Sequence, residues 1–271
     1  VKDNFISPLI AAFKIEAINQ DSTALVIKVN DIYDGTETSI NNVFTNINLG
    51  TSAIKNLSRI LSIKSFPNNV VATSELTTKV TDGTTSVYVT VEVSSSILLL
   101  PEKPMTGRFD NQKVGYFTNP LLSFSDAQQG TDKKQYITRW RMEPKPEDRE
   151  AYLKGQTVEP IKPIVFYIDN STPYQWRSYI KKGIEDWQTA FEKAGFKNAI
   201  IAKEITDSMH VDMDDVNYSV LTYAASEKKN AMGPSLLDPR SGEILEADIM
   251  WWHNVLSMVR EWITVQTGTV C

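Results

Sequence analysis

The sequence predicts an α+β fold built from two parts. Over residues 10–100, apolar and polar residues alternate with a period of two between turn residues, which is typical of antiparallel strands. After about residue 130, segments with strand patterns alternate with segments with helix patterns. A stretch rich in Pro and Gly separates the two regions. We therefore predict a β-rich domain over 1–130, which ends in an extended connector over 101–130, and an α/β unit over 131–271.

The first part reads as a series of antiparallel hairpins. Residues 13–17 and 24–29 alternate as strands do, and residues 54–61 carry apolar residues at helical spacing, which predicts a short helix or turn. The clearest hairpin joins residues 75–81 to 85–93 through Asp82-Gly83, since Gly supplies the positive φ that a tight turn needs.

A buried strand and a long helix open the second part. Residues 164–168 form a continuous apolar run, as expected of a strand covered on both faces. Thr172 is a candidate helix cap, Pro173 suits the first helical position, and Gly195 suits the helix end. Residues on one side of this predicted helix recur at spacings of three and four, and they are Trp176, Ile180, Gly183, Ile184, Trp187, Phe191 and Ala194. This pattern predicts one helix over 175–194 that packs on a sheet.

The remaining elements follow in the same alternation. Residues 198–205 and 218–223 read as strands, and residues 243–252 read as a last strand that follows a turn at 238–242. Residues 255–264 place several large apolar side chains on one face of a helix.

Composition and charge exclude several classes of function. The hydrophobic share of 41% and charged share of 23% are those of a globular protein with a sizeable core. The 28 basic and 33 acidic residues are interspersed and give a net charge of −5, so we expect no nucleic-acid partner. The longest apolar stretch, residues 96–100, is far shorter than the ~20 residues of a transmembrane helix. The chain opens at Val1 with no signal peptide, which is compatible with export after cleavage, and its one cysteine, Cys271, excludes an intrachain disulfide.

Known catalytic motifs are absent from the sequence. It has no G-x-S-x-G elbow, no phosphate-binding loop, no C-x-x-C pair and no H-E-x-x-H zinc helix. His210 lies among Asp212, Asp214 and Asp215, which fits either a calcium site or a solvated acidic loop. His253 fits either a packed or capping residue or a zinc ligand. A pair of carboxylates of the glycosidase kind also stays open, because such pairs have no sequence signature.

A series of segments, taken in order, resembles a known family. The segments are Pro101-Glu102-Lys103-Pro104-Met105 with Arg108, Val114-Gly115-Tyr116-Phe117, residues 164–170 with Pro173, Trp187, residues 191–195, and Asp238-Pro239-Arg240-Ser241-Gly242-Glu243-Ile244. In this order and spacing they are similar to large secreted bacterial zinc-dependent metallopeptidases of the metzincin-like type. The resemblance spans most of residues 10–260.

The resemblance implies a fold, a location and a role for each part. In that family the β-rich region is a domain of unassigned function, and the α/β region is the upper part of the peptidase domain, in which one long helix backs a twisted sheet. An edge strand of that sheet binds an extended peptide by strand addition, and residues 243–252 resemble it. The substrate-binding residues implied in this way are Ile244, Leu245, Glu246, Ala247, Asp248, Ile249 and Met250. Arg240 would lie near the entrance of the strand, available for a carboxylate, unless it is a solvated turn charge.

Hydrolysis in this family uses zinc held by an H-E-x-x-H helix, which these 271 residues lack. We therefore predict no catalytic residue, no metal ligand and no cofactor within the chain, which would be the inactive front portion of a secreted or periplasmic zinc metalloendopeptidase. The partners expected are a peptide or protein substrate and a second copy, through apolar surface on the incomplete domain. The rival interpretation is a non-enzymatic cell-surface module that binds protein or carbohydrate.

Overall fold

The computed structural model describes residues 12–268, except positions 39, 41, 50, 51, 112, 124–126, 128, 129 and 207. The fold is mixed α+β, as the sequence predicts, and the sheets of the N-terminal part are antiparallel. The chain divides into two compact units, Val1–Leu99 and Leu100–Cys271. Residues 101–130, which we grouped with the first domain, fall in the second unit, and Cys271 lies outside the described residues.

Two antiparallel sheets and two short helices make up the described part of the first unit. The elements are β1 (Ile15–Ile18), β2 (Leu25–Ile27), α1 (Asn30–Tyr33), α2 (Val43–Asn46), β3 (Arg59–Ser65), β4 (Asn69–Asp82) and β5 (Thr85–Leu98). Strand β1 pairs with β2, and β4 lies between β3 and β5. Residues Ile32, Tyr33 and Ala72 form a small core.

The hairpin around Asp82-Gly83 is confirmed, with longer arms than predicted. Gly83 has φ +58°, so it adopts the left-handed conformation that this turn demands. The short helix or turn predicted over 54–61 is confirmed as a 3-10 turn at Lys55–Leu57, after which the chain enters β3 earlier than expected. Ile60 pairs with Ser74 across the sheet, so this apolar residue belongs to a strand.

The second unit is built around a five-stranded sheet. Its elements are β6 (Thr118–Ser123), β7 (Asp132–Ile137), α3 (Arg149–Leu153), β8 (Ile164–Ile168), α4 (Tyr174–Glu185), α5 (Gln188–Lys193), β9 (Ile200–Glu204), β10 (Ser219–Ala224), β11 (Ala231–Met232), β12 (Ser235–Asp238), β13 (Glu243–Ala247), β14 (Ile249–Trp252) and α6 (Val255–Thr267). The strand order is β11-β14-β10-β8-β9, with β11 antiparallel and the other four parallel. Strands β6 and β7 form a hairpin, so part of the predicted connector is regular structure.

One face of the five-stranded sheet carries the core of this unit. Ile164, Phe166 and Ile168 of β8 pack with Ile180 and Ile184 of α4 and are almost fully buried. Burial alternates along β8, since Val165 and Tyr167 on the opposite face are only half-buried. The strand is therefore fully covered on one face and partly covered on the other, so the predicted cover on both faces is found only in part. The continuous apolar run of β8 includes two residues, Val165 and Tyr167, on the face that is only partly covered.

The predicted helix over 175–194 is two helices. It begins at Tyr174 with Pro173 as the cap residue, and Thr172 gives no capping hydrogen bond. The helix breaks at Asp186 and Trp187, and α5 ends before Gly195, whose φ of +91° confirms the predicted stop. The break turns Trp187 outward, with 65% of its surface exposed, so it does not share the packed face predicted for it.

Helix α6 is confirmed and runs slightly past its predicted end. Large apolar side chains on this helix are exposed, namely Leu256, Val259, Trp262, Ile263 and Val265. Among the described residues, no helix has the length and apolar character needed to cross a membrane.

Candidate functional site

The segment predicted to be one edge strand folds as two strands of a bent ribbon. Residues Glu243–Ala247 form β13, which pairs antiparallel with β12 in a separate two-stranded sheet. Residues Ile249–Trp252 form β14, which lies within the five-stranded sheet between β10 and β11. Asp248 stands at the corner between the two strands. The ribbon therefore carries the chain from one sheet into another.

The expected free edge is not found at Ile249 and Met250, which lie inside the five-stranded sheet, whereas residues 244–247 lie in a two-stranded sheet in which β12 is the ladder neighbour of β13. Ile249 pairs with Leu221, and Met250 is flanked on both sides, by Thr222 and Met232. Ile244 and Glu246 face Leu237 and Leu236 across the β12–β13 ladder, whereas Leu245 lies at a register shift.

The reason for this difference is the segment before the turn. Residues 231–238 fold back beside the predicted strand as β11 and β12. These arms have two and four residues, and strands so short leave no periodic pattern in the sequence. The outer strand of the sheet at this end is β11, and this assignment could not be read from the sequence.

Hydrogen bonds at the corner tie the ribbon to β10. The Asp248 carboxylate accepts from the Val220 backbone N–H at 2.8 Å, and the Ala247 N–H donates to the Ser219 hydroxyl at 3.1 Å. The Asp248 N–H donates to the Pro234 carbonyl at 3.0 Å, which joins the two arms at the same level. Side-chain and backbone groups thus fix the corner where the regular ladder is interrupted.

Glu246 is a buried acid beside this corner. Glu246 is 8% exposed, and its Oε1 atom has no hydrogen-bond partner among the described residues. Burial, followed by the hydrogen bond and the negative charge of Asp248, raises the pKa of Glu246 to about 8. Glu246 therefore keeps its proton to a higher pH than an exposed glutamate does.

The turn that precedes β13 is held by an ion pair. The Asp238 carboxylate, which is fully buried, accepts two short bonds from Arg240, with Nη2 to Oδ2 at 2.7 Å and Nε to Oδ1 at 2.9 Å. Hydrogen bonds from Arg240 lower the pKa of Asp238. Arg240 also donates to the carbonyl of Pro101. This arginine is a structural tie rather than a group free for a substrate carboxylate.

Two more arginines bind the start of the connector. Arg139 donates to the carbonyl of Thr106 at 2.8 Å, and Arg141 donates to that of Lys103 at 3.1 Å. Glu243, at the start of β13, accepts from the N–H of the buried Met105 at 3.3 Å. Together with Arg240, these residues form an arginine clasp that fixes residues 101–106 to β13 and to the turn before it, within the second unit. The breaker-rich composition of this segment indicates an extended chain, but it gives no sign that the chain is anchored.

Histidine 253 packs at the carboxyl end of β14. Its Nδ1 atom lies 2.6 Å from the Tyr223 hydroxyl, and the two rings meet edge to face at 6.0 Å. The backbone N–H of His253 donates to the carbonyl of Ala224. These contacts favour the packed and capping interpretation over the zinc-ligand one.

The acidic loop around His210 is organised by turns. The Asp214 N–H donates to the Asp212 carboxylate at 3.0 Å, and Asp215 accepts from Asn217. Within the described part of the chain, no group of three or more His, Cys, Asp or Glu side chains is placed to hold a metal ion. The calcium interpretation has no support in this geometry.

The face of the sheet opposite α4 is apolar and half-open. The register puts Met250 and Trp252 on this face with Thr222, and Val165 and Tyr167 continue it on β8. All five residues are half-buried, whereas Val220, which lies on the same face beside Tyr167, is almost fully buried, so this face is covered only in part. Parallel strands normally have both faces covered. This surface is therefore suited to pack against further polypeptide.

These features define a two-unit α+β protein whose second unit contains a mostly parallel sheet with one antiparallel outer strand. The first 145 residues match the model of a family described as a domain of unknown function, DUF5117, and the chain belongs to this family. No curated protein and no solved structure matches the chain. The matched region continues past the first unit and contains residues 101–106, the β6–β7 hairpin, Arg139 and Arg141, whereas Arg240 and Glu243 of the arginine clasp lie beyond it.

Proposed function

We propose that this chain is the N-terminal, non-catalytic portion of a secreted bacterial zinc-dependent metalloendopeptidase. The observation that carries the proposal is the sheet of the second unit, which is backed by α4, has one antiparallel outer strand and has a half-open apolar face. The family resemblance of the sequence segments implies a sheet of this kind above a peptidase active site. A periplasmic or cell-envelope location follows from the same resemblance.

Peptide recognition is assigned to β11 in this proposal. As the outer strand, β11 can pair with an extended peptide on the side away from β14, and main-chain bonds of this kind bind peptides of many sequences. Met250 and Trp251, which pair with Met232 and Ala231, then support the binding strand from behind. The residues Ile244–Ala247 act further away, because they hold the ribbon that presents β11.

Catalysis is assigned to polypeptide outside these 271 residues. The described residues do not fit a zinc cage, since they bring no three metal-binding side chains together. When bound, zinc would supply an activated water for peptide hydrolysis. The half-open face with Val165, Tyr167, Met250 and Trp252 is the surface on which the zinc-binding segment would pack.

Two proteins test this proposal, the 271-residue chain and the product of the uninterrupted reading frame that contains it. We expect the longer product to bind one zinc ion per chain, to digest unfolded casein and to lose activity on chelation. We expect neither property of the 271-residue chain. Failure of the longer product to bind zinc, or digestion by the shorter chain, would exclude the proposal.

When the 271-residue chain is isolated, the exposed apolar residues of α6 and of the half-open face favour binding to a second copy of the chain. Leu256, Val259 and Trp262 are 43%, 40% and 58% exposed, which is unusual for three large apolar residues on one short helix. We therefore expect the 271-residue chain to self-associate.

The alternative function is a binding module for protein or carbohydrate, and one surface favours it. Trp187 lines a shallow cavity of about 380 Å³ with Asp186, Thr189, Ala190 and Lys193. An exposed aromatic ring beside charged groups combines an apolar contact with polar bonds. Titration of wild type and Trp187→Ala with a panel of soluble glycans, followed by isothermal titration calorimetry, tests it. Saturable binding that requires Trp187 would favour this module over the peptidase.

A further inference from the structure

The corner of the ribbon places two carboxyl groups where the fold changes sheets. Glu246 lies on β13, Asp248 follows β13 directly, and Asp248 bonds to Val220 of β10 at 2.8 Å. A bend of this kind has no continuous ladder to hold it, so side-chain bonds carry more of its stability. The protonation of these two acids therefore acts on the attachment of β13 and β14 to the sheet.

We propose that Glu246 and Asp248 form a proton-dependent latch, which holds the ribbon corner on β10 while Glu246 is protonated and loosens it when Glu246 ionises beside Asp248. This property belongs to the fold of the second unit and does not depend on the proposed peptidase role. The Glu246 carboxyl bonds to the side chain of Asp248, and Asp248 in turn accepts from the Val220 N–H at 2.8 Å. Loss of the proton leaves two adjacent carboxylates away from water, which repel each other.

Charges on the surrounding elements do not relieve this repulsion. On β12, Asp238 is engaged by Arg240, and at the start of β13, Glu243 faces Arg141 at 3.7 Å. On β10, the titratable group is Tyr223, which bonds to His253. Strand β14 contributes no titratable side chain. Asp248 is the charged group that acts on Glu246, and no cation among the described residues offsets the pair.

The direction of the pH effect follows from the raised pKa of Glu246. Its ordinary value is 4.5 and its value in the fold is about 8, so the closed corner binds the proton more tightly than an open one does. The stability of the corner is therefore greatest below about pH 4.5, falls as the pH rises from there toward 8, and levels off above 8. The outer strand β11, which is joined to this corner through Pro234, is expected to loosen over the same range.

Hydrogen exchange and carboxyl NMR on the whole 271-residue chain test the latch. We expect the ¹³C carboxyl signal of Glu246 to titrate far above 4.5. After correction for intrinsic exchange, protection of the Val220, Ala247 and Asp248 amides is expected to fall about tenfold or more between pH 5 and pH 8. In Glu246→Gln, which imitates the protonated acid, protection is expected to stay high across this range.

Two further variants separate the latch from general effects of pH. Asp248→Asn keeps an oxygen for the Val220 N–H and removes the charge, so Glu246 is expected to titrate at lower pH and the loss of protection to shrink. Glu227→Gln removes an exposed acid from the loop before β11 and is expected to behave as wild type. Titration of Glu246 near its ordinary value, or a parallel loss of protection in wild type and Glu246→Gln, would overturn the proposal. Neither result bears on zinc binding by a longer product.

Discussion

The Asp238 carboxylate and the Arg240 guanidinium, two residues apart, form an ion pair with two parallel bonds at the turn before β13. The carboxylate is fully buried and the guanidinium is partly exposed. The same arginine reaches the carbonyl of Pro101. This pair therefore joins the ribbon turn to the connector, and it shows why a charged residue in a predicted turn is not available to a ligand.

Removal of the arginine should leave a buried charge without a partner. We expect Arg240→Ala to lower the free energy of unfolding of the second unit, because the fully buried Asp238 carboxylate would lose its ion-pair partner. Urea denaturation followed by Trp fluorescence measures it, with the exposed Lys162→Ala as control. A loss no larger than that of the control would contradict a structural role.

The same pair predicts a loss of stability in acid. Hydrogen bonds from Arg240 hold the pKa of Asp238 below its ordinary 3.8. Its contribution to stability is therefore complete above about pH 4 and is lost as the pH falls through the lower folded-state value. Thermal unfolding between pH 5 and pH 2 should show a steeper decline for wild type than for Asp238→Asn.

Gly242 should tolerate no side chain. It has φ +74°, and a Cβ atom there would lie 2.7 Å from the carbonyl oxygen of Ile137. Gly155 has a similar φ of +82° with open space around it, so it is the matched control. We expect Gly155→Ala to cost about 1 kcal/mol from backbone strain alone, and Gly242→Ala to cost at least twice as much. Equal costs in urea denaturation would mean that the backbone relieves the clash.

The two tryptophans of the broken helix should differ in their effect. Trp176 packs against the main core of the second unit, whereas Trp187 is 65% exposed. We expect Trp176→Ala to destabilise the unit by about 2–4 kcal/mol and Trp187→Ala by less than about 1 kcal/mol. Differential scanning calorimetry compares them. Similar losses would favour the single packed helix that the apolar spacing predicts, with Trp187 on its packed face.

The end of the family match should not be a usable place to cut the chain. Residues 100–145 contain β6, β7 and the arginines that hold β13, and the Arg139 N–H and carbonyl both pair with the ribbon. We expect residues 100–271 to give a dispersed ¹H–¹⁵N spectrum and residues 146–271 to give an unfolded or aggregated one. A folded 146–271 fragment would show that the clasp is dispensable.

Helix α6 should control self-association. We expect Trp262→Glu to lower the sedimentation-equilibrium mass of the chain toward that of a monomer, because the charge opposes burial of this face. Ser257→Glu places the same charge elsewhere on the exposed helix and is expected to have a smaller effect. An unchanged mass in Trp262→Glu would exclude α6 as the contact.

The sequence by itself determined the α+β class, the Asp82-Gly83 hairpin, the strand at Ile164–Ile168 and the helices near Tyr174 and Val255. These features depend on local signals, which are the period of the apolar residues and the backbone preferences of Gly and Pro. Tertiary structure decided the rest. Strand β11 is too short for a pattern, no Pro or Gly at positions 186–188 marks the helix break, and the arginine clasp joins residues more than 30 positions apart. Glu246 and Asp248 lie close in sequence, but only the burial of Glu246 in the folded chain, followed by its contact with Asp248, raises the pKa of Glu246.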